Sequence, residues 1–231
     1  MLNYFIQDEA QEVAQNVEPV VESLSMMDLI IAGGTAGMVI IGILFVLLFV
    51  AVYIYFERVF AIRSASKWDS NFMGQIQNNV SSGNLQAAKL LCAQHNTPVS
   101  RLTEKGISRI GSPLDTISSA IENAGRLEIY KLEKNVSILA TIAGAAPMLG
   151  FLGTVIGMVI AFHQLSASGG QADMGVLAEG IYTAMTTTVA GLIVGIIAYM
   201  GYNHLVTRTD KVVHQMEATA VDFLDILNEP V

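Results

Sequence analysis

The sequence is poor in charged residues and has a single cysteine. Charged residues fill 14% of the 231 positions, against roughly 25% in soluble domains, so a membrane protein is expected. Cys92 alone cannot build a disulfide framework or a cysteine-based zinc cluster, and it is predicted to be a small buried hydrophobe. The net charge of −8 argues against a nucleic-acid-binding protein, which needs basic surfaces for phosphates.

Charge is entirely missing from three long stretches, at 29–56, 135–172 and 180–207. A helix needs about 20 apolar residues to cross a bilayer core. We therefore predict transmembrane helices at 29–56, 135–165 and 180–207, with a Gly- and Ser-rich loop at 166–179. Buried helices of a soluble bundle are the alternative, but uncharged runs of this length are rare there.

The distribution of Lys and Arg predicts the orientation. All 12 lie at 58–134 or 208–211. The positive-inside rule then places the 57–134 region and the 208–231 tail in the cytoplasm, and the acidic 1–28 segment and the 166–179 loop outside. Because 1–28 begins without a basic region, we do not expect it to be a secretory signal.

The cytoplasmic part is predicted to be helical. Short helices are expected over 64–112, broken at 81–84, 96–98 and 111–113. Apolar spacing from Leu114 onward predicts one long helix running into the second span, with no break before Pro147. The third span is expected to continue as an amphipathic helix to about Ile226. The fold class is therefore an all-α polytopic membrane protein, with two spans extended into the cytoplasm and a helical bundle formed by oligomerisation. Residues 1–28 carry a weaker amphipathic pattern.

Small residues are concentrated in the second and third spans. Such residues let helix backbones approach closely in lipid, and Pro147 predicts a kink. The pattern fits either packing of these two spans within one chain or a tight oligomer, without favouring one. The candidate packing residues are Pro147, Gly150, Gly153, Gly157, Gly191 and Gly195.

Threonines are the polar residues at membrane depth. Thr154 shares a helix face with Gly150 and Gly157, and Thr187 and Thr188 belong to a run of three threonines, with Thr183 one turn earlier. Each hydroxyl could simply bond to its own helix. A small, polar face opposite a threonine cluster favours a polar interior instead.

No Asp, Glu, Lys or Arg lies within the spans. Proton relays usually need an ionisable group at depth, so a proton-conducting chain of this kind would need a carboxylate from another subunit. No nucleophile–base pair, phosphate loop or metal-ligand cluster is evident. We therefore expect neither an enzyme nor a cofactor or metal site.

Two motifs resemble those of the ExbB/TolQ/MotA proton-channel family. They are APMLGFLGTVIGM at 146–158 and GIYTAMTTTVAGL at 180–192, followed by Tyr202-Asn203. Three spans with an outer N-terminus are similar to the ExbB and TolQ branches, and ExbB is the closer. The four-span flagellar branch fits less well.

The resemblance implies a pentamer in the bacterial inner membrane around a single-span ExbD-like partner that carries a membrane Asp. Proton flow past that Asp would power a motor energising TonB and outer-membrane transport. Thr154 and Thr188 would then face the pore. Many family members have a Glu where this sequence has Thr183, which leaves the partner's Asp as the proton carrier. Alternatives are a TolQ-like subunit acting through TolA, a gliding or adhesion motor, or a passive membrane scaffold.

Overall fold

The regular secondary structure in the described part of the molecule is all α-helix. The computed structural model describes residues 34–67, 69, 71–167 and 174–228, and over these residues it confirms the predicted all-α membrane protein. The amphipathic pattern at 1–28 lies outside them. The described helices are α1 Gly34–Ala65, α2 Phe72–Ser81, α3 Leu85–His95, α4 Pro98–Ile107, α5 Leu114–Glu133, α6 Val136–Ala167 and α7 Met174–Asn228.

Three of these helices, α1, α6 and α7, are long and apolar enough to cross a membrane. They pack against one another and leave large apolar side chains on the outside, among them Phe49, which is 74% exposed, and Met148, which is 73% exposed. A soluble surface would not carry such a continuous apolar band. The chain is therefore a membrane protein whose spans are covered by lipid or by other transmembrane helices.

Short helices fill the charged region between the first two spans. Their ends follow the local sequence signals: the Asn84 side chain accepts a 3.2 Å hydrogen bond from the amide of Ala87 at the start of α3. Thr97 and Ser100 form a reciprocal capping box around Pro98 at the start of α4. The predicted breaks at 81–84, 96–98 and 111–113 all coincide with helix ends.

The prediction of one unbroken helix from Leu114 into the second span is wrong. It is divided at Lys134 and Asn135, where Asn135 adopts a left-handed backbone with φ 63°. Asparagine reaches this conformation more easily than most residues. Arg58 of α1 supports the break, because its Nη1 donates a 3.1 Å hydrogen bond to the carbonyl of Lys131 in the last turn of α5. Pro147, in contrast, lies inside α6 without ending it.

The core of the charged region lies where α4, α5 and the far half of α7 meet. Gly106 of α4 is the closest point, since a methyl group built there would collide with the ring of Phe223 and come within 3.0 Å of Ile121 Cδ1. Phe223 is 1% exposed. The extension of α7 beyond the membrane therefore completes the core of the region between the first two spans.

A buried carboxylate connects α4 to α5. Glu128 Oε2 accepts a 2.6 Å bond from Arg101, and its Oε1 accepts a 2.7 Å bond from Lys131. Arg101 also donates to the backbone oxygen and side chain of Asn96, which ends α3. Burial alone would raise the pKa of Glu128, but the hydrogen bonds and charges of Arg101 and Lys131 outweigh it and hold the pKa below 4.5.

This cluster predicts a loss of stability in acid. A carboxyl whose pKa is lower in the folded state stabilises the fold fully above its ordinary value of 4.5 and loses that contribution as pH falls through the folded value. We expect the free energy of unfolding of Glu128→Gln at neutral pH to be about 1–3 kcal/mol lower than that of the wild type. On acidification the variant should lose less stability than the wild type does. Thermal unfolding of the detergent-solubilised protein across this pH range measures both. Exposed Glu122 on the same helix is the control, and an equal effect of Glu122→Gln would contradict the prediction.

Candidate functional site at the α6–α7 contact

The backbones of α6 and α7 approach most closely at two glycines. A Cβ added to Gly191 would lie 2.6 Å from the carbonyl oxygen of Ala146 and 2.9 Å from Cα of Gly150. A Cβ added to Gly150 would lie 2.9 Å from the carbonyl oxygen of Thr187. Both helices therefore present bare backbone to each other, and only glycine fits at these two positions without a shift.

Glycines on either side extend this contact along the helices. Gly153 lies directly under the Thr187 side chain, and a Cβ at Gly157 would come within 2.9 Å of the Ala184 methyl group. At the other end, a Cβ on Gly195 would lie 2.7 Å from Cγ of Pro147. Of the two arrangements left open by the sequence, the described structure uses these glycines to pack α6 against α7 within one chain.

Two threonine hydroxyls cross this contact. Thr188 Oγ1 donates a 3.0 Å hydrogen bond to the Gly150 carbonyl oxygen, and Thr187 Oγ1 lies 3.3 Å from the same atom. Thr187 also donates at 2.8 Å to the carbonyl of Ala184 in its own helix. Thr187 is 1% exposed, whereas Thr188 is half-buried. Thr188 therefore lies at the edge of the contact, where another helix or solvent can reach part of its side chain.

Thr154 lies one turn from Gly150 along α6 but forms no described bond to the α7 threonines. Its hydroxyl donates a 2.6 Å bond to the carbonyl of Phe151 in its own helix, and Thr186 bonds in the same way to Tyr182 at 3.0 Å. Thr154 is half-buried. The side chain of Thr183 lies outside the described part of the structure. The structure thus joins Thr187 and Thr188 through Gly150 and leaves Thr154 beside them.

The surface next to Thr154 is an apolar depression along α6. It is lined by Phe151, Val155 and Met158, and His163 stands at its far end. A second apolar groove follows the same pair of helices past Pro147, Gly195 and Tyr199. Both surfaces are open to lipid or to further helices, and Thr154 is among the residues that line the first of them.

The electrostatics of the site come from dipoles rather than charges. The second and third spans contain no Asp, Glu, Lys or Arg, and the described residues contain no group of three or more His, Cys, Asp or Glu side chains placed to hold a metal. Hydroxyls and carbonyls can solvate a charged group briefly without forming a permanent ion pair. The site therefore offers hydroxyl and carbonyl oxygens, and no formally charged side chain from these two spans, to a group that lies beside it.

Some residues important to this arrangement were not predicted from the sequence. Gly180 begins a further close approach, because a Cβ there would lie 2.7 Å from the Ala161 methyl group. Gly180 and Ala184 are four residues apart, the same spacing as Gly153 and Gly157, so this spacing could have predicted the contact. The role of Arg58, buried at the end of the first span and bound to the α5 backbone, had no comparable sequence signal.

A family model matches more than half of the chain. Residues 94–218 match the model described as the MotA/TolQ/ExbB proton channel family. The matched segment includes α4, α5, the whole α6–α7 contact and most of the α7 extension. It leaves out α1.

Individual relatives agree with this match. An ExbB homologue in biopolymer transport from Methanothermobacter thermautotrophicus is 29% identical over 70% of this chain and 57% of its own length. The Tol-Pal system protein TolQ of Haemophilus influenzae is 37% identical over 47% of each chain. The biopolymer transport protein ExbB of Helicobacter pylori is 38% identical over 34% of this chain and 54% of its own. The chain spans about half the length of the curated relatives it matches.

Proposed function

This chain belongs to the MotA/TolQ/ExbB proton channel family, and from that membership we propose that it is an ExbB-like subunit of a motor driven by the proton-motive force. The observation that carries the proposal is the threonine cluster at the α6–α7 contact, where Thr188 bonds to the Gly150 carbonyl within uncharged spans. A passive packing surface needs the glycines. It does not need a half-buried threonine at their edge.

The proposed mechanism requires a partner. Since the spans of this chain carry no acid, the proton is carried by a membrane Asp on a single-span, ExbD-like subunit. That carboxyl is neutral against the apolar wall formed by residues such as Phe151 and Val155, and it ionises where hydroxyls or water solvate it. Protonation is thereby linked to the position of the partner helix.

The threonines provide that polar position. Thr188 and Thr154 are half-buried at the edge of the α6–α7 contact, with Thr187 behind them, and Thr183 stands one turn before Thr187 in the sequence. A hydroxyl donates to a carboxylate but carries no charge, so it stabilises the ionised partner without holding it permanently. One proton crossing a potential of 100 mV releases about 2.3 kcal/mol, enough to bias a step of the partner against this chain.

The proposed setting is the bacterial inner membrane, with the N-terminus in the periplasm and the C-terminus in the cytoplasm. The positive-inside rule supports this orientation, because every Lys and Arg lies at 58–134 or 208–211. The exposed apolar faces of α6 and α7 would be covered by neighbouring copies, in a pentamer around the partner. The work would be delivered to a TonB-like protein that energises outer-membrane transport.

A second candidate function is that of a TolQ-like subunit working through a TolA-like protein. The 37% identity to a Tol-Pal system protein over 47% of the chain favours it. Both functions share the channel mechanism and differ in the protein that receives the work. A gliding or adhesion motor would be a variant of the same kind.

The mass of the native complex tests the proposal. We would tag the C-terminus, extract the protein gently, and measure the mass with and without a co-expressed single-span partner bearing a membrane Asp. Five copies of this chain plus the partner are expected. A partner whose Asp is replaced by Asn should still assemble, because the proposal gives that residue a role in proton transfer. A monomer, or a homo-oligomer that ignores every such partner, would contradict the proposal and favour a scaffold.

A further inference from the structure

A basic pocket lies between α1 and α7 at the end of the spans where the Lys and Arg residues begin. Arg63 of α1 and Arg208 and Lys211 of α7 form its rim, and Ile62 and Val212 contribute to an apolar floor. The pocket encloses about 440 Å³ and opens to the outside of the helix pair. Three cations from two helices thus surround one concave, partly apolar surface.

These three cations have no acidic partner among the described residues. Arg58 pairs with Glu57, and Arg101 and Lys131 pair with Glu128, but no salt bridge reaches the pocket's rim. Asp210 lies within the same stretch of α7 and is exposed, yet it pairs with neither neighbouring cation. Concentrating positive charge in this way is unfavourable unless an anion completes the pocket.

The depth of the pocket matches that of lipid headgroups. The segment 37–56 of α1 contains 20 residues and spans about 30 Å as a helix, which is the thickness of the hydrocarbon core. Arg63 follows seven residues later, about 10 Å further along the axis. The packing of Tyr55 on Gly201 and His204 aligns the two helices, so Arg208 and Lys211 lie at a similar level.

We propose that this pocket binds the phosphate of an anionic phospholipid. Arginine guanidinium groups match phosphate oxygens in pairs, and a lysine adds a mobile point charge. The apolar floor would contact the glycerol and the start of the acyl chains. Basic pockets between transmembrane helices at headgroup depth favour anionic lipids in general. In the orientation proposed above, the lipid would belong to the cytoplasmic leaflet.

The first test compares lipids on the wild-type chain. The probes are phosphatidylglycerol, phosphatidylcholine and inorganic phosphate, added to the detergent-solubilised full-length protein, and the readouts are native mass spectrometry and thermal unfolding. We expect phosphatidylglycerol to remain bound and to raise the unfolding temperature more than phosphatidylcholine does. Equal effects of the two lipids would overturn the proposal. Equal protection by inorganic phosphate would assign the pocket to a free anion and overturn the lipid assignment.

The second test removes two of the cations. Arg208→Gln with Lys211→Gln is expected to weaken phosphatidylglycerol binding by about 30-fold. Lys89→Gln with Lys105→Gln makes the same change in net charge at exposed positions of α3 and α4, and should leave binding unchanged. An equal loss in both double variants would show a diffuse charge effect and overturn the proposal. The wild-type comparison stands by itself if the pocket variant does not fold.

Discussion

Replacing Gly191 with alanine is expected to lower the free energy of unfolding by about 1–3 kcal/mol. The added methyl group would lie 2.6 Å from the Ala146 carbonyl oxygen and 2.9 Å from Cα of Gly150. Both atoms belong to the backbone, so no side-chain rotation relieves the clash, and the two helices must move apart. That movement would also lengthen the hydrogen bond between Thr188 and Gly150. Unfolding of the reconstituted protein at increasing concentrations of a denaturing detergent measures the change.

Gly144 is the matched control for this substitution. It lies in the same membrane helix as Gly150, it is exposed, and a Cβ there would meet nothing within 4 Å. Gly144→Ala should leave stability unchanged or raise it slightly, because alanine favours a helix over glycine by about 0.8–1 kcal/mol. If Gly191→Ala unfolds like Gly144→Ala, the close contact of α6 and α7 is not what holds the two spans together.

Replacing Thr188 with valine is expected to leave the protein folded and to lower proton flux by about ten- to a hundredfold. Valine has nearly the same shape but cannot donate to an ionised carboxylate. Thr154→Val should act in the same direction. Flux is measured with a pH-sensitive dye in vesicles that contain this chain and its single-span partner, under an imposed membrane potential.

Two further variants separate the hydroxyl's role from packing. Thr188→Ser keeps the hydroxyl and should retain most of the flux. Thr141→Val removes a hydroxyl from an exposed residue of α6, whose hydrogen bond in the described structure is to the Ser137 carbonyl of its own helix at 3.1 Å, and should leave flux unchanged. Wild-type flux in both Thr188→Val and Thr154→Val would contradict the proposed channel role and support a passive scaffold.

The long helices were predictable because their signal is local. Uncharged runs of sufficient length identify α1, α6 and α7 without reference to any contact, and Pro98 with its capping residues fixes the start of α4. The break at Asn135 was missed because neither glycine nor proline marks it. The hydrogen bond from Arg58 of α1 to the Lys131 carbonyl of α5 supports the break at Asn135. Local sequence patterns cannot predict a contact between such distant residues.

The sequence predicts which residues form the site but not which of them contact one another. The sequence identifies Gly150, Gly191 and three consecutive threonines as a small, polar set at membrane depth. It does not show that Thr187 is buried against Gly153, or that Thr188 reaches the Gly150 carbonyl while Thr186 bonds to its own helix. Those differences depend on the rotation and register of two packed helices, and several arrangements satisfy the same sequence pattern.

The continuous length of α7 makes it a lever. Its 55 residues run from Met174 to Asn228 and include Phe223, which lies in the core of the charged region. At 1.5 Å per residue the helix is about 80 Å long, so a tilt of about 5° at one end displaces the other by about 7 Å. The α5–α6 side is divided at Asn135 and can bend there. In the proposed motor, a small tilt of α7 at the threonines would be passed along one continuous helix to the buried core around Phe223, whereas the α5–α6 side could bend at Asn135.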